Sequence, residues 1–171
     1  MSFTLDRREF VRGSLVGAAL TTSLGAALAA PRTAVLKKAV KYSMVAGPAP
    51  HRDKFALVKK LGFLGGEIDS PNSFQRDELI AARDATGLAI HGVINSIHWS
   101  VRLSDPKEET RAKARAGMIT ALDDAQAVGA DTVLLVPGVV DPKRDGDFDT
   151  VWQRSAAEIR KLVPEAERRK V

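Results

Sequence analysis

This sequence predicts an α/β fold of about four parallel β-α units, on three observations. Short apolar runs of strand character alternate with segments whose apolar residues recur at helical spacing. Glycine or proline punctuates nearly every change of element. The connections are short, and strict alternation with short connections calls for parallel strands joined by right-handed crossovers. With 171 residues, 44% hydrophobic and 27% charged, the chain has the balance of one ordinary globular domain.

The alternation begins only after an address. Residues 6–12 read Asp-Arg-Arg-Glu-Phe-Val-Arg, a mildly apolar stretch runs from Gly13 to Leu28, and Ala27-Leu28-Ala29 precedes Ala30-Pro31. That is the charged start, apolar middle and small-residue cleavage site of a signal peptide. Arg7-Arg8 followed by Phe10 resembles the twin-arginine motif, which export machinery reads as a signal rather than an anchor. Residues 1–30 are therefore expected to be a twin-arginine signal peptide, cleaved near Ala29 or Ala30. The product would be exported to the periplasm or beyond. The apolar run is too short and too weak for a stable membrane anchor. Residues 31–40 read as a short basic leader, and residues 41–171 as the folded part.

Within that part Tyr42–Val45 reads as the first strand, closed by the Gly47-Pro48-Ala49-Pro50 loop. Phe55, Leu57, Val58 and Leu61 define a helix over 53–61, which Gly62 ends in the left-handed region. Gly65–Asp69 is the second strand, and a helix over 76–86 follows, capped by Gly87. The third strand is 88–95. Its continuation through Asp105 is a loop containing His98 and Trp99. Asp105 and Pro106 suit the N-cap and first position of a long helix, 107–128. Thr132–Val136 is an apolar run that suits a parallel strand buried on both faces. The last helix spans 148–163, where Pro164 should kink or divide it.

Composition and motifs exclude several functions. The net charge of +5 is scattered, and with two tryptophans and one tyrosine there is little to stack bases, so a nucleic acid partner is not expected. Without cysteine there are no thiol nucleophiles, zinc-cysteine sites or disulfides. No G-x-S-x-G elbow or H-E-x-x-H helix occurs. The loop after the first strand has two prolines where a phosphate would need backbone N–H donors, which argues against a nucleotide-binding sheet.

Three segments carry a family resemblance. Leu61-Gly-Phe-Leu-Gly-Gly-Glu67-Ile68 is similar to the G-F-x-G-V-E-L segment of the sugar phosphate isomerase/epimerase family, the xylose isomerase-like branch of TIM barrels. The stretch from Ile90 to Asn95, then His98-Trp99, then Ser104-Asp105-Pro106, resembles the third strand and loop of exported members. Gly129 to Gly138 resembles their fourth strand. The resemblance implies a partial TIM (β/α)8 barrel, about four parallel β-α units preceded by a signal peptide. A whole barrel of this kind needs about 250 residues. In the family a divalent metal ion (Mn, Mg, Co or Zn) is held by side chains at the ends of strands five to eight, and the acid-base glutamates lie in the same half. This chain is thus expected to be an inactive N-terminal fragment of a metal-dependent sugar or keto-sugar isomerase or epimerase, without catalytic residues or metal ligands of its own. The alternative is a non-catalytic exported carbohydrate-binding barrel. Pairing of two copies to complete a ring would make a homo-oligomer.

The active face of such barrels is the carboxyl end of the strands. Glu67 and Asp69, two apart on a strand, share a face and suit sugar hydroxyls. The alternative is an internal ion pair for Glu67 and a loop cap for Asp69. His91 and Asn95, four apart, are expected to share a face of the third strand, with a core histidine the alternative for His91. His98 and Trp99 follow in the loop, where an imidazole can move protons and an indole can pack on the apolar face of a sugar. The expected substrate-holding set is Glu67, His91, Asn95, His98 and Trp99. His51 reads as a solvated loop residue.

Overall fold

The computed structural model describes residues 36–171, Pro48 excepted. The signal-peptide reading of residues 1–30 therefore lies outside the described residues, as does most of the leader. The strands are β1 (Ala39–Lys41), β2 (Gly65–Ser70), β3 (Ala89–Asn95) and β4 (Thr132–Leu134). The helices are α1 (His51–Lys60), α2 (Arg76–Thr86), α3 (Glu108–Val128) and α4 (Phe148–Arg169), with a 3-10 turn at Tyr42–Met44. All strand pairs are parallel and the sheet order is β1-β2-β3-β4. Sequential order leaves no point at which the winding reverses, unlike a doubly wound sheet.

Packing explains why the helices gather on one side. Ile68 from β2 and Ile90 and Val93 from β3 enter one buried cluster with Phe55 and Val58 of α1, Leu79 and Ala82 of α2, and Ala121, Ala125 and Val128 of α3. Val40 and Val133 pack against the same cluster from β1 and β4. A second cluster joins Ala114, Met118 and Leu122 of α3 to Leu162 of α4 and Leu103. The helices thus cover one face of the sheet, the arrangement of a partial (β/α) barrel.

Several boundaries differ from the sequence reading. The first strand ends at Lys41, and Tyr42 begins a 3-10 turn whose hydroxyl meets His51 Nδ1. Residues 39 and 40 of the supposed leader are therefore strand, and His51 opens α1 instead of lying in a loop. Helix α3 starts at Glu108 because the Asp105 carboxylate accepts the Lys107 N–H in a turn outside the helix. Strand β4 is not buried on both faces: it edges the sheet, and Leu134 is 51% exposed.

Helix α4 runs through Pro164 without dividing. Packing on both sides of the proline outweighs the one lost backbone bond. Leu162 is buried ahead of it, and beyond it Arg169 is buried while pairing with Asp123 of α3 and with Glu165. Nearer the start of α4, Glu158 is buried among Arg111 and Arg115 of α3 and Lys161. Burial alone would raise the Glu158 carboxyl, but hydrogen bonds from Lys161, Arg115 and Arg111 outweigh it and hold the group below its ordinary value.

Removing one member of such a buried cluster leaves its partners uncompensated. Glu158→Ala should cost about 3–5 kcal/mol, measured by urea unfolding at neutral pH. A group held below its unfolded value stabilises fully above that value and loses the contribution as pH falls through its native one. The gap between wild type and Glu158→Ala should therefore shrink as the pH is lowered through and below the carboxylate range. A gap independent of pH would show that charge pairing is not its source.

Candidate functional site

Period-two alternation fixes what the uncovered face of the sheet carries. With Val40, Ile68 and Val133 turned under the helices, their neighbours Lys41, Glu67, Asp69, Thr132 and Leu134 stand on the opposite face. Lys41 Nζ lies 2.9 Å from Asp69 Oδ1, an ion pair bridging the carboxyl ends of β1 and β2. Glu67 stands one layer lower, its Oε1 3.9 Å from His91 Nε2. The two carboxylates share a face, and Lys41 neutralises the upper one.

Strand β3 departs from simple alternation. Gly66 pairs with Ile90 but Glu67 pairs with Gly92, so His91 is an extra residue, a β-bulge. Both bulge residues face away from the helices. The His91 ring lies against Gly65, 2.8 Å from where a Cβ there would stand, and a Cβ on Gly92 would meet the Glu67 side chain. Parity reverses beyond the bulge. Val93 packs under the helices and Asn95 follows it there, 1% exposed, its Nδ2 3.7 Å from Met118 Sδ of α3 and its Oδ1 accepting the Ile97 N–H. His91 and Asn95 therefore do not share a face, contrary to the sequence expectation. His91 belongs to the amino-terminal end of the sheet, lining a cleft with Lys37, Lys38, Gly65 and Asp131.

The loop after β3 divides its two aromatic residues. His98 is 2% exposed, and its Nδ1 accepts the Val136 N–H at 3.2 Å, tying the loop to the end of β4. That bond requires a bare Nδ1, so the neutral ring carries its proton on Nε2, which is buried without a partner. Burial lowers the His98 pKa below 6.5; Lys41 adds to the effect, while the Leu134 carbonyl and Asp69 oppose it. Trp99 stands edge-on to this ring, centroids 4.8 Å apart and planes at 83°, and is 63% exposed. His98 is thus the footing and Trp99 the available surface.

Of the five expected residues, Trp99 is exposed in the loop beyond β3, Glu67 is partly exposed midway along β2 with its carboxylate against His91, His98 and Asn95 are buried, and His91 lies towards the amino-terminal end. Sequence reasoning missed Lys41 because the strand was set too late; the alternation of Ala39-Val40-Lys41 was the available signal. Paired carboxylates, an ammonium and an exposed indole can hold a polyhydroxylated molecule by hydrogen bonds and by its apolar face. Among the described residues no three His, Asp or Glu side chains converge as metal ligands, so these residues alone do not fit a divalent cation. No described helix is long and apolar enough to cross a membrane.

Comparison with known proteins bears on this arrangement. The model of the xylose isomerase-like TIM barrel family matches residues 55–171. No curated protein matches by sequence. Among solved structures, the chain is similar to D-psicose 3-epimerase from Clostridium cellulolyticum H10, with D-tagatose, at 25% identity and a TM-score of 0.61, over 80% of this chain and 50% of that one. It shares its fold with 3-keto-D-glucoside 4-epimerase from E. coli at 22% identity and a TM-score of 0.63, over 78% of this chain and 53% of that one. An AP endonuclease of family 2 from Brucella melitensis matches at 20% identity and a TM-score of 0.57, over 76% and 52%. The chain spans about half the length of these structures.

Protonating His98 places a charge in a buried setting, so its titration by NMR should show a midpoint below 6.5. The stability it contributes should be complete above 6.5 and fall away as pH drops from there through its native value. A midpoint at or above 6.5 would contradict the buried neutral ring.

Proposed function

The chain belongs to the xylose isomerase-like TIM barrel family, and on that footing we propose that it forms one side of the mouth of a sugar or keto-sugar epimerase or isomerase. The observation that carries this reading is the grouping of Lys41, Glu67 and Asp69 on the uncovered strand face, with Trp99 exposed from the adjoining loop. Carboxylates accept from hydroxyls, the ammonium donates to hydroxyl or carbonyl oxygen, and the indole covers a face of C–H groups. The likeness to epimerases of D-psicose and of 3-keto-D-glucoside supports a keto-sugar ligand.

In this reading the reaction moves a proton between carbons next to a carbonyl, and this chain's share is to hold and orient the substrate. A divalent cation, expected from the family resemblance, would belong with the remainder of a barrel about twice this length and would polarise the carbonyl there. The described chain alone should bind without turning substrate over. We further propose export by the twin-arginine route, on the strength of Arg7-Arg8, Phe10 and the mildly apolar stretch to Leu28.

Saturation-transfer NMR, suited to weak ligands, should detect D-tagatose or D-fructose on the purified chain. Trp99→Ala and Glu67→Gln should each weaken binding about tenfold, or 1.4 kcal/mol, while Trp152→Ala leaves it unchanged. Absence of transfer to either ketose would sink the substrate-holding role, and epimerisation by the 171-residue chain would overturn the division of labour. Replacing Arg7 and Arg8 with lysines should abolish export of a fused reporter; unchanged export would reject the twin-arginine route.

A further inference from the structure

The loop between β3 and α3 and the loop between β4 and α4 meet in a buried polar cluster that the proposed substrate-holding role leaves unused. Its centre is Asp145, whose carboxylate is wholly buried in the second loop and pairs with Arg102 Nη1 of the first at 2.5 Å. Arg102 has a second partner: its Nε donates to the Trp99 carbonyl at 3.3 Å. One guanidinium therefore spans from the backbone of the exposed tryptophan to a buried carboxylate on the neighbouring loop.

The surroundings hold the two loops in register. Arg154 of α4 donates from Nη1 to the Asp145 carbonyl at 2.7 Å and to the Ser104 carbonyl at 3.5 Å. Gly138 lies so close to Ser104 that a Cβ there would overlap the Ser104 side chain. His98 adds its own link to the Val136 N–H.

We propose that Arg102 and Asp145 are positioning residues that fix Trp99 at the mouth, and with it the orientation of the sugar face it covers. The mechanism is geometric. A guanidinium offers several donors in one rigid plane and can serve Asp145 and the Trp99 carbonyl together; a lysine ammonium at 102 can neutralise Asp145 but lacks that rigid two-way fork. Losing the fork should free the Trp99 backbone while the fold survives. The sugar-orienting part rests on the function proposed above, whereas the restraint on Trp99 stands without it.

The test follows from the difference between charge and fork. The sequence has two tryptophans, so a Trp152→Phe background leaves Trp99 as the sole indole reporter. In that background Arg102→Lys should keep the far-UV circular dichroism of its parent, yet raise acrylamide quenching of Trp99 by about two-fold and increase its fast anisotropy decay, as a loosened loop requires. Asp145→Asn should move Trp99 the same way. D-tagatose binding should weaken about tenfold in both variants. Quenching and anisotropy unchanged in a folded Arg102→Lys protein would overturn the clamp, whatever happens to binding. If Arg102→Lys fails to fold, Asp145→Asn decides by the same readouts, and failure of both to fold would assign the pair to stability instead of positioning. Failure of the parent to bind ketose would count against the function and leave the tryptophan readout intact.

Discussion

Everything at the candidate site follows from one constraint: the strands bury a single face. Ile68, Ile90 and Val93, with Val40 and Val133 packed alongside, commit one side of the sheet to the helices. Side chains on a strand alternate, so this hydrophobic commitment fixes the charged groups on the other side without any further instruction. Shifting β2 by one residue would drive Glu67 and Asp69 into the helix layer and expose Ile68. Each buried aliphatic side chain contributes about 1.5–3 kcal/mol, and two buried unpaired carboxylates would cost several more, so register and site are selected together.

The bulge at His91 shows how one extra residue redirects the end of a strand. Without the register shift, Val93 would face away from the helices opposite Asp69, and Asn95 would follow it on the uncovered face. With it, Val93 enters the core and Asn95 turns towards α3, where its carboxamide meets Met118 and holds the Ile97 N–H. The polar end of β3 thereby becomes an anchor for the loop that follows. That loop starts from a fixed point, and three residues later His98 fixes it again to Val136, just beyond β4.

Much of the fold was legible in the sequence because its causes are local. Gly62, Gly87 and Gly129 mark the ends of α1, α2 and α3 with positive φ, and helical spacing placed the segments between them. The misreadings came from effects a single segment does not reveal. Pro164 was expected to kink or divide the last helix; the helix is continuous through it, because Leu162 and Arg169 hold the segments on either side against α3. Tyr42 read as strand because it opens a short apolar run closed by a Gly/Pro loop; in fact it leaves the sheet to meet His51 and Phe55. At the site, the shared face of Glu67 and Asp69 needed only period two. The separation of His91 from Asn95 depended on a bulge, and that of His98 from Trp99 on contacts with β4, neither of which composition or spacing encodes.

An exposed indole is useful for recognition only if its backbone stays put. The stretches 96–107 and 135–147 contain no helix or strand, and loops of that length are entropically costly to hold in one shape. Apolar packing under them is modest: Leu103 is buried, while Val139 and Val140 are exposed. The order must come largely from polar contacts, and these converge on a buried carboxylate, which is costly to leave without its partner. Asp145 has no exposed side-chain surface, and both its carboxylate and its carbonyl engage arginines from other parts of the chain. Stability and the proposed recognition role are consequently coupled in these loops: loosening the ionic core beneath Trp99 would free the indole well before it unfolded the sheet.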